Sequence, residues 1–167
     1  MLNVLIRHGQ CITNLDRSYS VSSNDEDILT ADGCSQSLKT ARFIKSFEIE
    51  KLKIAASTLA RAKQSAQIIF EELGLTEHIY YSDLLIEKSR DESYADAYQR
   101  YNSFIKEFGS DDDLTLLVIT HGHLLQAIFA ALLGLNNPGI LDFHNCGIST
   151  YESNRILTLN SYFHLKH

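Results

Sequence analysis

Leu2-Asn3-Val4-Leu5-Ile6-Arg7-His8-Gly9-Gln10 is the stretch whose reading decides the fold. An almost unbroken apolar run of strand length stops at an arginine, a histidine and a glycine, the composition of a buried strand opening into a functional loop. In an open α/β sheet, ligands bind outside the carboxyl ends of the strands. Arg7 and His8 are therefore predicted at the rim of such a crevice. Taken alone, the same residues also fit a solvated strand end followed by a loop histidine, so the rest of the chain has to decide.

Working outward, Cys11 to Ile28 is polar and reads as a loop with one helical turn around Asn14 to Arg17. Thr30 is placed to cap a helix over 31–46, in which Leu38, Ala41, Ile44 and Phe47 recur at helical spacing. Lys53-Ile54-Ala55-Ala56 reads as a short strand. Ser57 to Arg61 leads into a second helix, with Ala62, Ala66, Ile69 and Leu73 on one face and Gly74 as its stop. Ile79-Tyr80-Tyr81 predicts a third strand, followed by apolar Leu84-Leu85-Ile86 and then Glu87. Tyr94, Ala97, Tyr98, Tyr101, Ile105 and Phe108 repeat at three and four, which predicts a third helix ending at Gly109, with Ser110 to Asp113 as an acidic turn.

Leu114 to Thr120 is the most strand-like run of all and reads as a central buried parallel strand that enters His121-Gly122-His123. A helix bearing Leu125, Ile128, Phe129 and Leu132 follows and stops at Gly134. Gly147 to Tyr151 and Arg155 to Leu159 are predicted as two last strands joined at Ser153-Asn154. The alternation of strands and helices implies an α/β three-layer sandwich, a mainly parallel central sheet flanked by helices.

The 167 residues, 44% of them apolar, suit one domain spanning 1–167. A net charge of −6 argues against sequence-independent nucleic-acid or anionic-membrane partners, which favour a basic face. No apolar run approaches the roughly 20 residues of a membrane span, and no basic, apolar leader opens the chain. Cys11, Cys34 and Cys146 are odd in number and widely spaced, so reduced thiols and a cytoplasmic location are expected.

If the strands are parallel, the residues after successive strand ends share one crevice: Arg7 and His8, then Ser57 and Arg61, then Glu87, then His121. Guanidinium groups grip phosphate oxygens through paired charge-assisted hydrogen bonds, and imidazoles act as donors, bases or nucleophiles. A basic pocket in an acidic protein suits phosphoryl transfer, which depends mainly on positioning and charge stabilisation. Arg61 early in a helix also opposes the helix dipole unless an anion compensates.

Leu5-Ile6-Arg7-His8-Gly9 with Asn14 downstream resembles the signature of the histidine phosphatase, or phosphoglycerate mutase-like, superfamily. Leu29-Thr30 with Gly33 and Gln36, Ser57-x-Leu59-x-Arg61-Ala62-x-Gln64-Ser65-Ala66, Glu92-Ser93 with Arg100, and Val118-Ile119-Thr120-His121-Gly122 resemble its later blocks in the right order. The resemblance implies a metal-independent, cofactor-free phosphatase that hydrolyses phosphomonoesters. It makes His8 the nucleophile and Glu87 the general acid, with Arg7, Arg61 and His121 around the phosphate, Asn14 nearby and the Gly122 backbone within reach. Glu92 lies close to Glu87 in sequence and is the competing proton donor; Glu87 is preferred. His164 resembles a histidine that some members carry near the end, His144 lies in the same region, and His123 is expected outside the first ring of contacts.

Two departures from the family pattern bear on the substrate. Only Lys88 to Asp91 separate Glu87 from Glu92, so the lid common in the family is short or missing. A short, open site favours hydrolysis over mutase-type transfer and admits either a phosphorylated small molecule or a phosphoprotein, as in the small phosphohistidine phosphatases of the superfamily. Cys11 stands where a threonine is common. Two rival readings are a zinc hydrolase on His121-x-His123 with His8, and a catalytically silent phospho-ligand binding module.

Overall fold

The computed structural model describes residues 1–15, 27–47, 49–108 and 111–166. Its elements in chain order are β1 (Leu2–Arg7), α1 (Ile12–Leu15), α2 (Ala31–Lys45), β2 (Leu52–Ser57), α3 (Ala60–Leu73), β3 (Tyr80–Ser82), α4 (Tyr94–Phe108), β4 (Thr115–Thr120), α5 (Gly122–Leu133), β5 (Ile148–Glu152) and β6 (Arg155–Ser161). Short 3₁₀ turns lie at Asp83–Leu85, Pro138–Ile140 and Phe163–Leu165.

The six strands form one sheet in the order β3-β2-β4-β1-β5-β6. The first four of that order are parallel, whereas β5 and β6 pair antiparallel. The fold is therefore the expected α/β sandwich with a mainly parallel sheet. All six residues of β4 are buried, because helices cover both faces of the sheet. Leu116 and Val118 pack with Leu5 against Tyr101, Phe104, Leu125 and Phe129 of α4 and α5. Leu117 and Ile119 pack with Val4 and Ile6 against Ala41, Ile44, Ala66 and Ile69 of α2 and α3. Strand residues alternate faces, so one strand serves both cores. The aromatic stripe of α4 is thus core.

Local signals act as the sequence suggests. Thr30 Oγ1 accepts from Gly33 N at 3.0 Å as the α2 cap, and Gly74 closes α3 at φ 70° in the left-handed region. Ser153 and Asn154 both have positive φ, 46° and 64°, which is the two-residue turn that suits the twist of an antiparallel hairpin. One expectation shifts, one apolar run gains an element, and one reading lies outside the described residues. The helical turn after His8 lies at Ile12–Leu15, earlier than Asn14 to Arg17, of which residues 16 and 17 fall outside the described residues. Leu84-Leu85 belongs to a 3₁₀ turn in which Leu85 is buried. The α4 stop at Gly109 and the start of the acidic turn at Ser110 also lie outside the described residues. Among the described residues no helix is long and apolar enough to cross a membrane.

Parallel pairing of β1 with β4 aligns Arg7 with Thr120. The loops that follow both strands therefore leave the sheet side by side.

Candidate active site

His8 N donates to Thr120 O at 2.9 Å, which seats the histidine directly above the end of β4. Its Nδ1 lies 2.8 Å from Gly9 O. A carbonyl oxygen only accepts, so Nδ1 carries the hydrogen and Nε2 presents a lone pair. Arg61 Nε donates to that lone pair at 3.2 Å. Burial, reinforced by the charges of Arg61 and Arg7, holds the His8 imidazole well below its ordinary proton affinity. The ring is thereby neutral at neutral pH.

The backbone around His8 is tightly constrained. A Cβ on Gly9 would lie 2.4 Å from Gly33 O, and one on Gly33 would lie 2.0 Å from Gln10 O. Gly9 N donates to Ser65 Oγ at 2.9 Å, and Ser65 Oγ donates to Arg61 O at 2.8 Å, tying the loop to α3.

Arg61, the second residue of α3, is buried, and its Nη1 pairs with Asp27 Oδ2 at 3.1 Å. Asp27 also accepts from Thr13 N and Thr13 Oγ1, at 3.1 and 2.7 Å. That carboxylate compensates the cation at the helix start. Arg7 differs: its Nη1 donates to Phe143 O at 2.6 Å, and among the described residues it pairs with no carboxylate. Its Nε is buried without a partner and lies 3.5 Å from where a Gly122 Cβ would be. A glycine at 122 lets the guanidinium lie against the first turn of α5.

His121 caps α5 and is fully buried. Its Nε2 is hydrogen-bonded to Ser57 Oγ at 2.8 Å, and its Nδ1 has no partner. Its ring sits 5.0 Å from that of His8, and burial, with the fields of His8, Arg61 and Arg7, holds it well below the ordinary histidine value. His121 lies beneath His8 rather than on the cleft surface.

A cleft of about 670 Å³ opens over this group, lined by Arg7, His8, Asn14, Arg61, Glu87 and Gly122 among others. Glu87 Oε1 accepts from Lys88 N and His123 N at 3.1 and 3.0 Å. Glu92 is engaged elsewhere. Arg100 Nε and Nη2 grip its two oxygens at 2.8 and 2.9 Å, which holds its carboxyl below the ordinary value, and it does not line the cleft. The residues of the zinc reading are likewise committed: His121 Nε2 to Ser57, and His123 Nδ1 to Glu87 at 3.4 Å. Among the described residues no group of three or more His, Cys, Asp or Glu side chains is arranged to hold a metal ion.

Several neighbours were invisible to sequence reasoning. Asn145 Nδ2 donates to His8 O at 3.0 Å and to Asn14 Oδ1 at 2.9 Å, bridging positions more than a hundred residues apart. Gln126, Asp142, Phe143 and His144 also line the cleft. Ser57 was expected in the crevice and holds His121; Ser65, four residues after Arg61 on the same helix, could have been found as a hydroxyl beside a basic residue. Asp27 and Asn145 carry no such signal. His164 lies away from the cleft, with its Nε2 bonded to Thr40 Oγ1 at 2.9 Å. Cys11 is buried, with Sγ 3.3 Å from Asn14 Oδ1.

Residues 3–89 and 81–156 match the family model of the histidine phosphatase superfamily (branch 1). No curated protein matches the chain. Among solved structures, the chain resembles mycobacterial glucosyl-3-phosphoglycerate phosphatase with a TM-score of 0.79 at 21% identity, covering 96% of this chain and 98% of that one. It resembles Bacillus stearothermophilus YhfR at 0.79 and 16% identity, over 98% of each chain. A mutant phosphoserine phosphatase from Entamoeba histolytica, in complex with phosphoserine, superposes at 0.75 and 18% identity, again over 98% of each chain. These likenesses are of fold, while the model match covers most of the sequence. The chain belongs to the histidine phosphatase superfamily (branch 1), as an enzyme of the phosphoric monoester hydrolase class.

Proposed function

We propose that this chain hydrolyses phosphomonoesters through a phosphohistidine on Nε2 of His8, with Glu87 as the proton donor and no metal ion. The observation that carries the reading is the His8 tautomer. A neutral imidazole with its lone pair facing Arg61, at the base of a cleft that also holds Arg7 and Glu87, is a nucleophile already prepared.

In the first step His8 Nε2 attacks phosphorus, the ester P–O bond breaks, and the leaving oxygen takes a proton from Glu87. The Arg61 Nε–H moves from His8 to a phosphoryl oxygen, which frees the lone pair. Arg7 Nε, lacking a protein partner, donates to another oxygen, and Asn14 and the Gly122 backbone border the same site. In the second step Glu87 takes a proton from water, the new O–P bond forms, and the P–N bond breaks with its electron pair returning to His8. His121 supports His8 from beneath.

The cleft volume suits a phosphorylated small molecule, in keeping with the substrates that the structural relatives are named for. The two overlapping matched ranges and the single sheet support one histidine phosphatase domain over 1–167, and three free cysteines suit a reducing compartment such as the cytoplasm.

Hydrolysis of nitrophenyl phosphate in the presence of chelator tests the reading. Wild-type turnover should persist, and His8→Ala should lose it by about 10⁴-fold. Turnover that requires added metal, or that survives in the variant, overturns it.

A further inference from the structure

His123 lies one residue beyond His121-Gly122, on the wall of the cleft, with its side chain 60% exposed. It meets Glu87 twice. Its backbone N donates to Glu87 Oε1 at 3.0 Å, and its Nδ1 lies 3.4 Å from the same oxygen. Lys88 N donates to that oxygen as well, at 3.1 Å. These donors converge on one carboxyl oxygen, beside an imidazole that can hold a proton. A carboxylate so placed is well suited to take a proton from water. To give one to a leaving oxygen it needs a source beside it.

We propose that His123 is that source, sharing one proton with Glu87 through Nδ1 and Oε1 and so acting as a positioning and proton-holding residue. The inference rests on the phosphohistidine reading with Glu87 as acid. As the ester bond breaks, the proton passes from His123 Nδ1 to the carboxylate and from the carboxylate to the leaving oxygen. His123 is left neutral and Glu87 ionised. In the hydrolytic step the proton of the attacking water passes to the carboxylate and back to Nδ1, while the P–N electron pair returns to His8. Protons and electrons balance over the two steps, and the pair ends as it began.

The charged groups acting on His123 are Glu87 and Lys88, in the loop after β3, and Arg7 at the end of β1. Glu87 raises the proton affinity of the imidazole, and this outweighs burial and the repulsion from Lys88 and Arg7. An imidazolium held by Glu87 keeps the shared proton available further toward alkaline pH than a carboxyl group alone.

The test compares wild type with His123→Gln, which keeps a donor beside Glu87 but cannot titrate. kcat/KM is measured against pH with glycerol 2-phosphate, whose alkoxide leaving group needs a proton, and with nitrophenyl phosphate, whose leaving group scarcely does. The variant should lose about tenfold or more on the alkyl ester near neutral pH and less on the aryl ester. Its alkaline limb should move to lower pH, and its unfolding curve should match wild type because the side chain is exposed. Equal losses on both esters, or superimposable pH profiles, overturn the proton-sharing role. If His8→Ala removes turnover while His123→Gln leaves the profiles in place, the role of His123 alone falls. Wild-type turnover that is absent or indifferent to His8→Ala brings down the underlying reading as well.

Discussion

Arg61 Nε donates to Nε2 of His8 at 3.2 Å, across fifty-three positions of sequence, while the Nη1 of the same guanidinium is held by Asp27. One side chain thereby marks the lone pair of the proposed nucleophile and is itself oriented by a buried carboxylate. A lysine carries its donors on one nitrogen in place of a planar fork, so it cannot set donors at the two separate positions that Nε and Nη1 occupy. Arg61→Lys should lower kcat about 10²-fold with the fold intact. Arg61→Ala should in addition cost about 3 kcal/mol, because it leaves Asp27 buried without its partner. Steady-state kinetics alongside urea unfolding separate the two losses, and a kcat unchanged in Arg61→Lys would refute the orienting role.

His8 and His121 make stability depend on pH in a defined direction. Burial is the leading cause that depresses both, whereas the unfolded chain titrates them near the ordinary value of 6.5. Above that value both states hold these rings neutral, and the full stability is present. As pH falls below it, the unfolded chain binds protons that the folded state refuses, and stability drops by up to about 1.4 kcal/mol per pH unit for each histidine. His123, raised by Glu87 and half exposed, acts in the opposite sense and offsets a smaller part. Thermal melts from about pH 8 to about pH 5 should show Tm falling on the acid side, with a shallower fall in His121→Gln. A flat profile would contradict the buried neutral pair.

The two carboxylates near the cleft are expected to separate cleanly. Glu87→Gln should slow hydrolysis of an alkyl phosphate about 10²-fold or more. Glu92→Gln should leave the chemistry in place and remove about 1 kcal/mol of stability. Its grip on Arg100, which also binds Leu84 O and Ile86 O, holds the loop that carries Glu87. Comparable kinetic losses in both variants would reopen the choice of proton donor.

Two glycines of opposite character test the packing argument. Gly9→Ala places a methyl group 2.4 Å from a backbone oxygen and should cost about 3 kcal/mol, with loss of activity, because the loop bearing His8 must move. Gly74→Ala meets nothing within 4 Å and pays only for its φ of 70°, about 1 kcal/mol. Denaturant midpoints of the two variants give the comparison directly; similar small losses would show that the Gly9–Gly33 contact relaxes easily.

What the sequence determined by itself was the scaffold and the residues held close to it in sequence. Strand and helix periods are local properties, and Arg7, His8, Arg61, His121 and Gly122 each follow a strand closely enough that parallel pairing brings them to one end of the sheet. Only the tertiary structure shows what each carboxylate meets, because Arg100 of α4 reaches Glu92 while Glu87 lines the cleft. It alone joined Asn145 to His8 and Asn14, Asp27 to Arg61, and His123 to Glu87. Such contacts join loops distant along the chain. No sequence period encodes them, and they exist once burial removes water and each polar group must find a partner within the protein.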